Sequence, residues 1–463
     1  MTFREGIMRK YFGDRQFYKR VIAIVLPIVV QQLITNFVTM LDNIMVGQVG
    51  TYPMSGVAIA NELIFVFTLC IFGAISGAGI FGAQFYGDGN HEGVRQAFRF
   101  KLWICVILTL GAIGIFLLFD TPLLSAYLNG TAQENAATLS FAKGYLAVML
   151  VGLLPYALTQ IYASTLRETG QTFVPMLAGL IAVGVNLLFN YILIFGHFGA
   201  PAMGVTGAAV ATVLSRFVEL IIIAVWTHRN AYRNIFAQGL FKTLLIPRDV
   251  VLRIAKKGAP LLANEALWSM AMATLLQCYS VRGIEVVAAY NINSTITQLF
   301  NVVALAMGNA IAIMVGQLLG AGEMEKAREE NRKLITFGLM LSVGVGAVMA
   351  ACSGLFPQLY ETEANIRATA GGFILISAAY LPILSYVHSA YFTLRSGGRT
   401  GITVLFDCVF SWLVLVPTAY LLASHTALPI LAVFAIVQGT EILKAAVGAV
   451  LLKKGIWLRN IVK

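Results

Sequence analysis

Twelve apolar segments of about 20 residues follow one another along the chain, the first three at residues 21–46, 56–84 and 102–119. A helix of about 20 residues covers the roughly 30 Å hydrocarbon core of a bilayer. Because lipid offers no hydrogen-bond partner to the backbone, each segment predicts a transmembrane helix. With 59% hydrophobic and only 11% charged residues, the chain is also too apolar for an ordinary soluble domain. We therefore predict an all-α integral membrane protein with twelve transmembrane helices.

The basic residues alternate regularly between loops. Nearly all of the 32 Lys and Arg lie in the tails and in every second loop, and only Lys143, Arg282 and Arg367 lie near the other loops. This positive-inside pattern predicts a multi-pass protein of the inner (plasma) membrane with both termini cytoplasmic. Nucleic-acid binding is not expected, because no basic patch is interleaved with exposed aromatic residues. The charged first twenty residues lead into an apolar run too long for a signal peptide, so we expect no cleavage.

The second half of the chain repeats the first. The segment TLRETGQT at residues 165–172 returns as TLRSGGRT at residues 393–400, and Glu219 in RFVELI corresponds to Glu441 in GTEILK. Two further pairs have one and the same separation along the chain: Pro27 with Pro260, and Gln84 with Gln317. Six helices followed by six equivalent helices imply two parallel six-helix bundles related by a pseudo-two-fold axis along the membrane normal.

The repeat predicts two lobes and a linker. We expect an N-terminal lobe at residues 1–228 (helices 1–6), a cytoplasmic linker at residues 229–249 and a C-terminal lobe at residues 250–463 (helices 7–12). Two such halves around a central cleft can move against each other, as alternating access requires. Pro27 and Pro260 interrupt their helices at matching places, so they are either hinges or kinks that serve packing alone.

The first span carries a polar face that ends in a carboxylate. Six polar side chains recur there at helical spacing: Gln32, Thr35, Asn36, Thr39, Asp42 and Asn43. Asp42 lies some 33 Å along the helix from its cytoplasmic end, in the outer half of the bilayer. Asn186 and Asn190 of the fifth span, with Thr212 or Thr206 of the sixth, complete an oxygen-rich set. Such a set suits a hard cation or a titrating proton, the alternative being hydrogen bonds that only hold the bundle together.

The second half offers further polar groups inside its spans. Glu265 follows Pro260 in the seventh span, and Asn291 and Gln298 lie on one face of the eighth. Asp407, early in the eleventh span, faces either a cavity or the nearby cytoplasm. The residues predicted to line a substrate cavity are Gln32, Asn36, Thr39, Glu265, Asn291, Gln298 and Asp407.

Two opposite-charge pairs lie within single spans. Arg216 and Glu219, and likewise Glu441 and Lys444, are three residues apart. Side chains at this spacing are neighbours on a helix. We expect each pair to form an ion pair within its own helix.

Several motifs, taken in order, resemble one transporter family. LDNIMVGQVG in the first span, GAQFYGDGN and GQLLGAGE, the paired TLR-x-x-G segments, and NLLFNYILIFG followed by GVTGAAVAT resemble the multidrug and toxic compound extrusion (MATE) family over essentially the whole chain. The resemblance implies a twelve-helix, V-shaped secondary antiporter that exports organic, often cationic, compounds in exchange for protons or sodium.

The resemblance also implies residue roles. Asp42 occupies the place of the family's central coupling acid in helix 1, and Thr212 that of a helix-6 oxygen. The family's helix-5 Asn-x-x-x-Asp is matched at Asn186, but this chain has Asn190 at the second position. Glu265 falls near the helix-7 acid of some members. The loss of one charge at position 190 weakens the case for sodium.

We therefore predict a cation-coupled antiporter and not an enzyme. The coupling site would consist of Asp42, Asn186, Asn190 and Thr212. The coupling ion would be H⁺ or Na⁺. We expect no other cofactor and no metal ion except Na⁺ at Asp42. The partners of the antiporter would be small organic molecules and the lipid bilayer, and a monomer is expected. A flippase for a lipid-linked saccharide is the alternative. An intramembrane enzyme is not expected, because the sequence contains no recognisable catalytic motif. A passive channel is disfavoured by the two-lobed repeat.

Overall fold

The computed structural model describes residues 10–128, 131–360 and 362–463, and every regular element in those ranges is helical. A short helix, Asp120–Ser125, precedes the fourth of twelve long helices. The long helices are α1 Arg15–Gly47, α2 Thr51–Gly87, α3 His91–Leu118, α4 Ala132–Glu168, α5 Phe173–Phe195, α6 Gly204–Arg229, α7 Arg248–Ser280, α8 Ile284–Ala321, α9 Met324–Cys352, α10 Ala364–Ser396, α11 Thr400–His425 and α12 Ile430–Lys453.

Eleven of these helices are long and apolar enough to cross a membrane. The remaining one, α7, also has sufficient length at 33 residues and carries Lys256, Lys257 and Glu265, but it contains no segment as apolar as those of the other eleven. The prediction of an all-α, multi-pass membrane protein is confirmed. The helices α1 to α12 correspond one to one to the twelve predicted spans.

Local sequence explains how several helices begin and bend. Thr131 and Glu134 form a reciprocal capping box that starts α4. Proline lies inside α1, α4, α7 and α10, where it removes a backbone donor and permits a bend. The middle of α11 is wound more widely, as two π-helical stretches at Leu405–Val409 and Ser411–Leu415. Such π-helical turns often mark functional positions.

The helices group into two compact units. One unit contains residues up to Val29, the segment Ala83–Gly89 and residues Lys256–Lys463, and the other contains Val30–Gly82 and Asn90–Ala255. Helix α1 therefore changes unit two residues after Pro27. The repeat-based boundary at residues 229–249 stays a prediction.

The unit that contains the second half of the chain has a large apolar core. Phe17 and Val21 of α1 are buried in it together with Ala310 of α8 and Leu394 of α10. Trp457, beyond the end of α12, joins the same core and is only 2% exposed. The N-terminal part of α1 thus packs with the second half of the repeat.

Residues 457–463, which we call the C-terminal strap, lie across the helix ends of this unit. Nε2 of Gln84 donates to the carbonyls of Ser396 and Arg459 at 2.8 and 3.2 Å, and its Oε1 accepts from the backbone N–H of Ile461 at 2.9 Å. Asn460 donates to the carbonyl of Gly320 at 2.7 Å. The strap therefore joins the end of α2 to the ends of α8 and α10.

In the other unit, α3 and α4 are joined by a buried ion pair. Nζ of Lys101 lies 2.6 and 2.7 Å from the two carboxylate oxygens of Glu168 and 3.1 Å from the hydroxyls of Ser164 and Thr165. The Lys101 side chain is completely buried. This cluster satisfies a charge that would otherwise be very costly inside the helices.

Candidate functional site

Asp42 of α1 lies beside Asn190 of α5. The amide Nδ2 of Asn190 donates to Oδ1 of Asp42 at 2.6 Å, and it lies 3.1 Å from Oδ1 of Asn186. Asn190 is 1% exposed, and Asp42 is half-buried. Because residues four apart lie one above the other on a helix, α5 presents both amides to α1.

Asn186 connects this pair to α6. Its Nδ2 lies 3.3 Å from Oγ1 of Thr212. With the Asn186 amide turned over, its nitrogen lies 3.0 and 3.2 Å from the two oxygens of Asp42, and its oxygen accepts from Thr212 at 3.3 Å. In this second orientation the Asn186 nitrogen contacts both oxygens of Asp42, but it also lies 3.1 Å from Nδ2 of Asn190, which is itself a donor. Thr212, and not Thr206, is the α6 hydroxyl in contact with the set.

The four predicted coupling residues therefore lie together on α1, α5 and α6, and their chemistry suits a cation. Among the described residues, no Lys or Arg nitrogen lies within 4.0 Å of the Asp42 carboxylate. Oδ1 of Asn190 is buried and accepts no hydrogen bond. An unpaired carboxylate and an unsatisfied buried oxygen are the groups that a bound proton or hard cation would satisfy.

The four residues of the set offer few charged ligands to a metal ion. No group of three or more His, Cys, Asp or Glu side chains able to hold a metal ion occurs in residues 10–128, 131–360 and 362–463. Asp42 is the single carboxylate among the four residues. A monovalent ion or a proton matches this charge.

The rest of the polar face of α1 is open. Gln32, Thr39 and Asn43 are exposed and Asn36 is half-buried. Nε2 of Gln32 donates to Oδ1 of Asn36 at 3.2 Å, and the Thr39 hydroxyl donates to the backbone carbonyl four residues earlier at 3.0 Å. The predicted periodicity is thus present, with side-chain oxygens and amides that remain accessible.

The ion pair expected between Arg216 and Glu219 does not form directly. Nη1 of Arg216 donates to the carbonyl of Gly152 at 3.3 Å, and the guanidinium lies 5.2 Å from the ring centroid of Tyr156. Both partners belong to α4. The prediction was wrong because spacing along α6 takes no account of acceptors on a neighbouring helix.

A second arginine of this half is also held by a neutral partner. Nη2 of Arg167, at the end of α4, donates to Oε1 of Gln31 in α1 at 2.8 Å. A Cβ added to Gly179 of α5 would lie 3.0 Å from the Gln31 amide and 3.5 Å from a Glu219 oxygen. Gln31, Arg167, Gly179 and Glu219 therefore meet in the interior of this half.

The corresponding place in the second half holds an ion pair between α11 and α12. Nζ of Lys444 lies 2.7 Å from Oδ1 of Asp407, and Nδ2 of Asn264 donates to Oδ2 of Asp407 at 3.1 Å. The predicted partner of Lys444, Glu441, lies farther away, at 3.9 Å. Asp407 is thus a paired carboxylate with a side chain 18% exposed. Its predicted role in the cavity stays a prediction.

The other polar residues predicted for the cavity have few partners. Glu265 of α7 is half-buried and makes no hydrogen bond or ion pair with the residues that the structure describes. Asn291 and Gln298 of α8 are exposed on the same face, where Gln298 donates to the Ser294 hydroxyl at 3.2 Å. These side chains are available to a ligand.

Sequence reasoning missed the amides that hold the half-buried charges. Gln31 and Asn264 are equivalent positions of the repeat, because each lies four residues after its proline, Pro27 or Pro260. Each contacts a half-buried charged side chain, Arg167 or Asp407. The constant separation between equivalent residues of the repeat would have identified Gln31 and Asn264 as a pair. The Lys101–Glu168 pair left no comparable signal, because the two residues lie on different helices and no pattern in the sequence relates one to the other.

Comparison with known proteins gives a consistent family. The family model MatE matches the chain twice, at residues 27–192 and again at residues 260–421. Among curated relatives, the probable multidrug resistance protein NorM of Thermotoga maritima is 27% identical over 418 residues, which cover 89% of this chain and 87% of the relative. The protein of the same name from Oceanobacillus iheyensis is 27% identical over 414 residues, covering 89% and 90%.

The fold agrees with solved structures. The crystal structure of a mutant MATE transporter from Vibrio cholerae superposes with a TM-score of 0.85 over 96% of this chain and 98% of the other, at 18% identity. The two matches of one family model also begin at the two equivalent prolines, Pro27 and Pro260. The chain therefore has the two-lobe fold of these transporters and belongs to the multidrug and toxic compound extrusion (MATE) family.

Proposed function

We propose that this protein is a secondary antiporter that exports organic, often cationic, compounds in exchange for protons or sodium ions by alternating access. The observation that carries the proposal is the environment of Asp42. A half-buried carboxylate without a basic partner, contacted by the amide of Asn190, needs a cation from solution. The names of its relatives as multidrug resistance proteins support the direction and the type of substrate.

The proposed cycle assigns each group a task. Asp42 takes up a proton or Na⁺ from the outer side, with the oxygens of Asn186, Asn190 and Thr212 as further ligands where the ion is Na⁺. Binding of the ion neutralises the Asp42 carboxylate and releases the Asn190 amide, which had donated a hydrogen bond to it. Helix α1 then shifts near Pro27, close to the point at which the helix changes unit, and substrate leaves.

Each unit offers polar groups that would bind substrate loosely. The open polar face of α1 and the exposed Asn291 and Gln298 of α8 offer amide and hydroxyl groups. Glu265 offers an acid for a lipophilic cation, whose flat rings would stack on aromatic side chains. Contacts of this kind tolerate many ligand shapes, as multidrug export requires.

The experiment is efflux of ethidium from proteoliposomes, with a proton gradient and a sodium gradient imposed separately. We expect one gradient to drive efflux by the wild type and Asp42→Asn to lower the rate at least tenfold. Asp249→Asn is the matched control, because Asp249 is an exposed acid in a one-turn pair with Arg253, outside the proposed site. Its efflux should equal that of the wild type.

Two outcomes would overturn the proposal. One is gradient-driven efflux that Asp42→Asn leaves unchanged, which would remove the coupling role of Asp42. The other is no gradient-driven movement of any of a panel of organic cations in folded protein. Lipid-linked saccharides would then be tested as substrates, since a flippase is the remaining alternative.

A further inference from the structure

The carboxylates of the second half already have a cation, and it is part of the chain. Nζ of Lys444 lies 2.7 Å from Asp407 and 3.9 Å from Glu441, and its side chain is only 6% exposed. We propose that Lys444 is the resident cation of this carboxylate cluster and that it restricts the exchange of the coupling ion to Asp42. The inference rests on the proposed function, which it deepens by saying which half exchanges the ion.

The geometry holds Lys444 in place from several sides. Asn264 of α7 donates to the Asp407 oxygen that Lys444 does not contact. The ammonium group also lies 5.7 and 5.9 Å from the ring centroids of Phe406 and Phe410, over the widened part of α11. An ion pair with further hydrogen bonds and aromatic neighbours is the arrangement in which a buried ammonium is stable.

The charged groups around Lys444 come from four helices. Asp407 and Glu441 face it from α11 and α12, and His388 of α10 interacts with it electrostatically. Glu265 of α7 interacts with Asp407 and with Arg395 of α10. Three carboxylates and two basic side chains therefore influence one another electrostatically, and two of the carboxylates, Asp407 and Glu441, lie within 4 Å of Lys444. Without Lys444 the cluster would hold three acids against one arginine.

Comparison of the two halves shows that the acid and the base occur as a unit. When the repeat is aligned at Arg167 and Arg395, Asp407 corresponds to Gly179. When it is aligned at Glu219 and Glu441, Lys444 corresponds to Ile222. The first half therefore lacks both charges at this place. An acid and a base that are present together on facing helices neutralise each other and add no net requirement for a dissolved ion.

A tethered ammonium also has an advantage over an ion from solution. Its four-carbon stem keeps the charge at the carboxylate at all times, and no translational freedom is lost when it binds. Sodium would have to displace it and leave an unpaired buried ammonium, which costs several kcal/mol. Asp42 has no such competitor among the described residues.

The test measures binding of ²²Na⁺ to the purified full-length protein at pH 8.5, in an Asp42→Asn background that removes the first site. We expect no stoichiometric binding to D42N or to D42N/K444R, because both retain a resident cation. D42N/K444M should gain about one Na⁺ per chain, and D42N/K444M/D407N should lose it again. Absence of Na⁺ binding to folded, monodisperse D42N/K444M would overturn the proposal, as would equal binding to D42N/K444R.

A second measurement covers the case in which K444M does not fold. Lys444→Ala leaves space for a free alkylammonium ion, so n-propylammonium chloride should raise its melting temperature by about 3 °C or more above the effect of tetramethylammonium chloride. The wild type should show no difference between the salts. Equal effects on both proteins would contradict the proposal. Both assays are independent of transport, so a failure of the efflux experiment would not be mistaken for a failure here.

Discussion

Gly87 and Gly320 pack reciprocally where the C-terminal end of α2 meets that of α8: Gly87 lies against the backbone carbonyl of Gln317, and Gly320 lies against that of Gln84. The two glycines are equivalent positions of the repeat, as are the two glutamines. At this crossing, equivalent residues of the two halves of the repeat therefore contact each other. Glycine is needed on both helices because a Cβ on either would overlap the carbonyl of the other.

We expect Gly87→Val and Gly320→Val each to destabilise the protein by about 2 kcal/mol or more, because backbone has to move to admit the side chain. The measurement is the melting temperature of purified protein in detergent, followed by size-exclusion chromatography. Gly111→Ala is the control. A Cβ at Gly111 of α3 meets nothing within 4 Å, so its effect should be within about 1 kcal/mol. Equal melting temperatures for all four proteins would contradict the close crossing.

Asn190→Asp should increase the response of the protein to sodium. The new carboxylate would lie within about 3 Å of Asp42 because the present amide nitrogen is 2.6 Å from it. Two carboxylates at that distance do not both stay ionised unless a cation lies between them. We expect NaCl to raise the melting temperature of Asn190→Asp more than choline chloride does, by a larger margin than in the wild type.

Asn190→Ala separates this charge effect from a loss of packing. It removes the hydrogen bond to Asp42 without adding an acid, so its melting temperature should respond to sodium no more than that of the wild type. A sodium response of Asn190→Asp that only equals that of Asn190→Ala would show that the two side chains do not approach each other as described.

The coupling set and the buried ion pairs differ in how far the sequence predicted them. Asp42, Asn186 and Asn190, with Thr212 or Thr206, follow from helical periodicity and from the cost of a polar residue within a span. The family resemblance favours Thr212, and the structure places Thr212 beside Asn186. Periodicity describes one helix at a time. It therefore predicted that Lys444 pairs with Glu441 on its own helix. In the structure Lys444 lies closer to Asp407 on α11.

The overall architecture could be predicted more fully from the sequence, because it depends on properties summed over many residues. Span length, loop charge and the repeat each average over whole helices, so single deviations do not change the conclusion. The course of the last residues could not be foreseen in this way. Trp457 lies beyond the last predicted span, yet it is buried in a core that includes Phe17 and Leu394. Only the folded chain brings these distant segments together.

The Lys101–Glu168 pair predicts a strongly non-additive effect of mutation. Lys101→Met or Glu168→Leu alone should cost about 3–5 kcal/mol, because each leaves an uncompensated buried partner. Lys101→Met combined with Glu168→Leu should cost less than the sum of the single variants, since neither charge remains. Thermal unfolding of the four proteins measures this coupling. Additive losses would contradict a direct ion pair.

The C-terminal strap should contribute measurably to stability although it is short. Trp457→Ala removes a large buried ring, and we expect a loss of about 3–5 kcal/mol. Gln84→Ala leaves the Ser396 carbonyl and the Ile461 N–H without their partner and should cost about 1–3 kcal/mol. Both can be measured by thermal unfolding in detergent.

The matched control for the strap is its exposed last residue. Lys463 pairs with Asp88 at 3.2 Å, but its side chain is 63% exposed, so Lys463→Ala should change the unfolding free energy by less than about 1 kcal/mol. If the strap holds the ends of α2, α8 and α10 together, Trp457→Ala and Gln84→Ala should also make the Gly397–Gly398 turn more accessible to protease. Protection equal to the wild type, together with unchanged stability, would mean that the strap only lies on these helix ends and does not hold them.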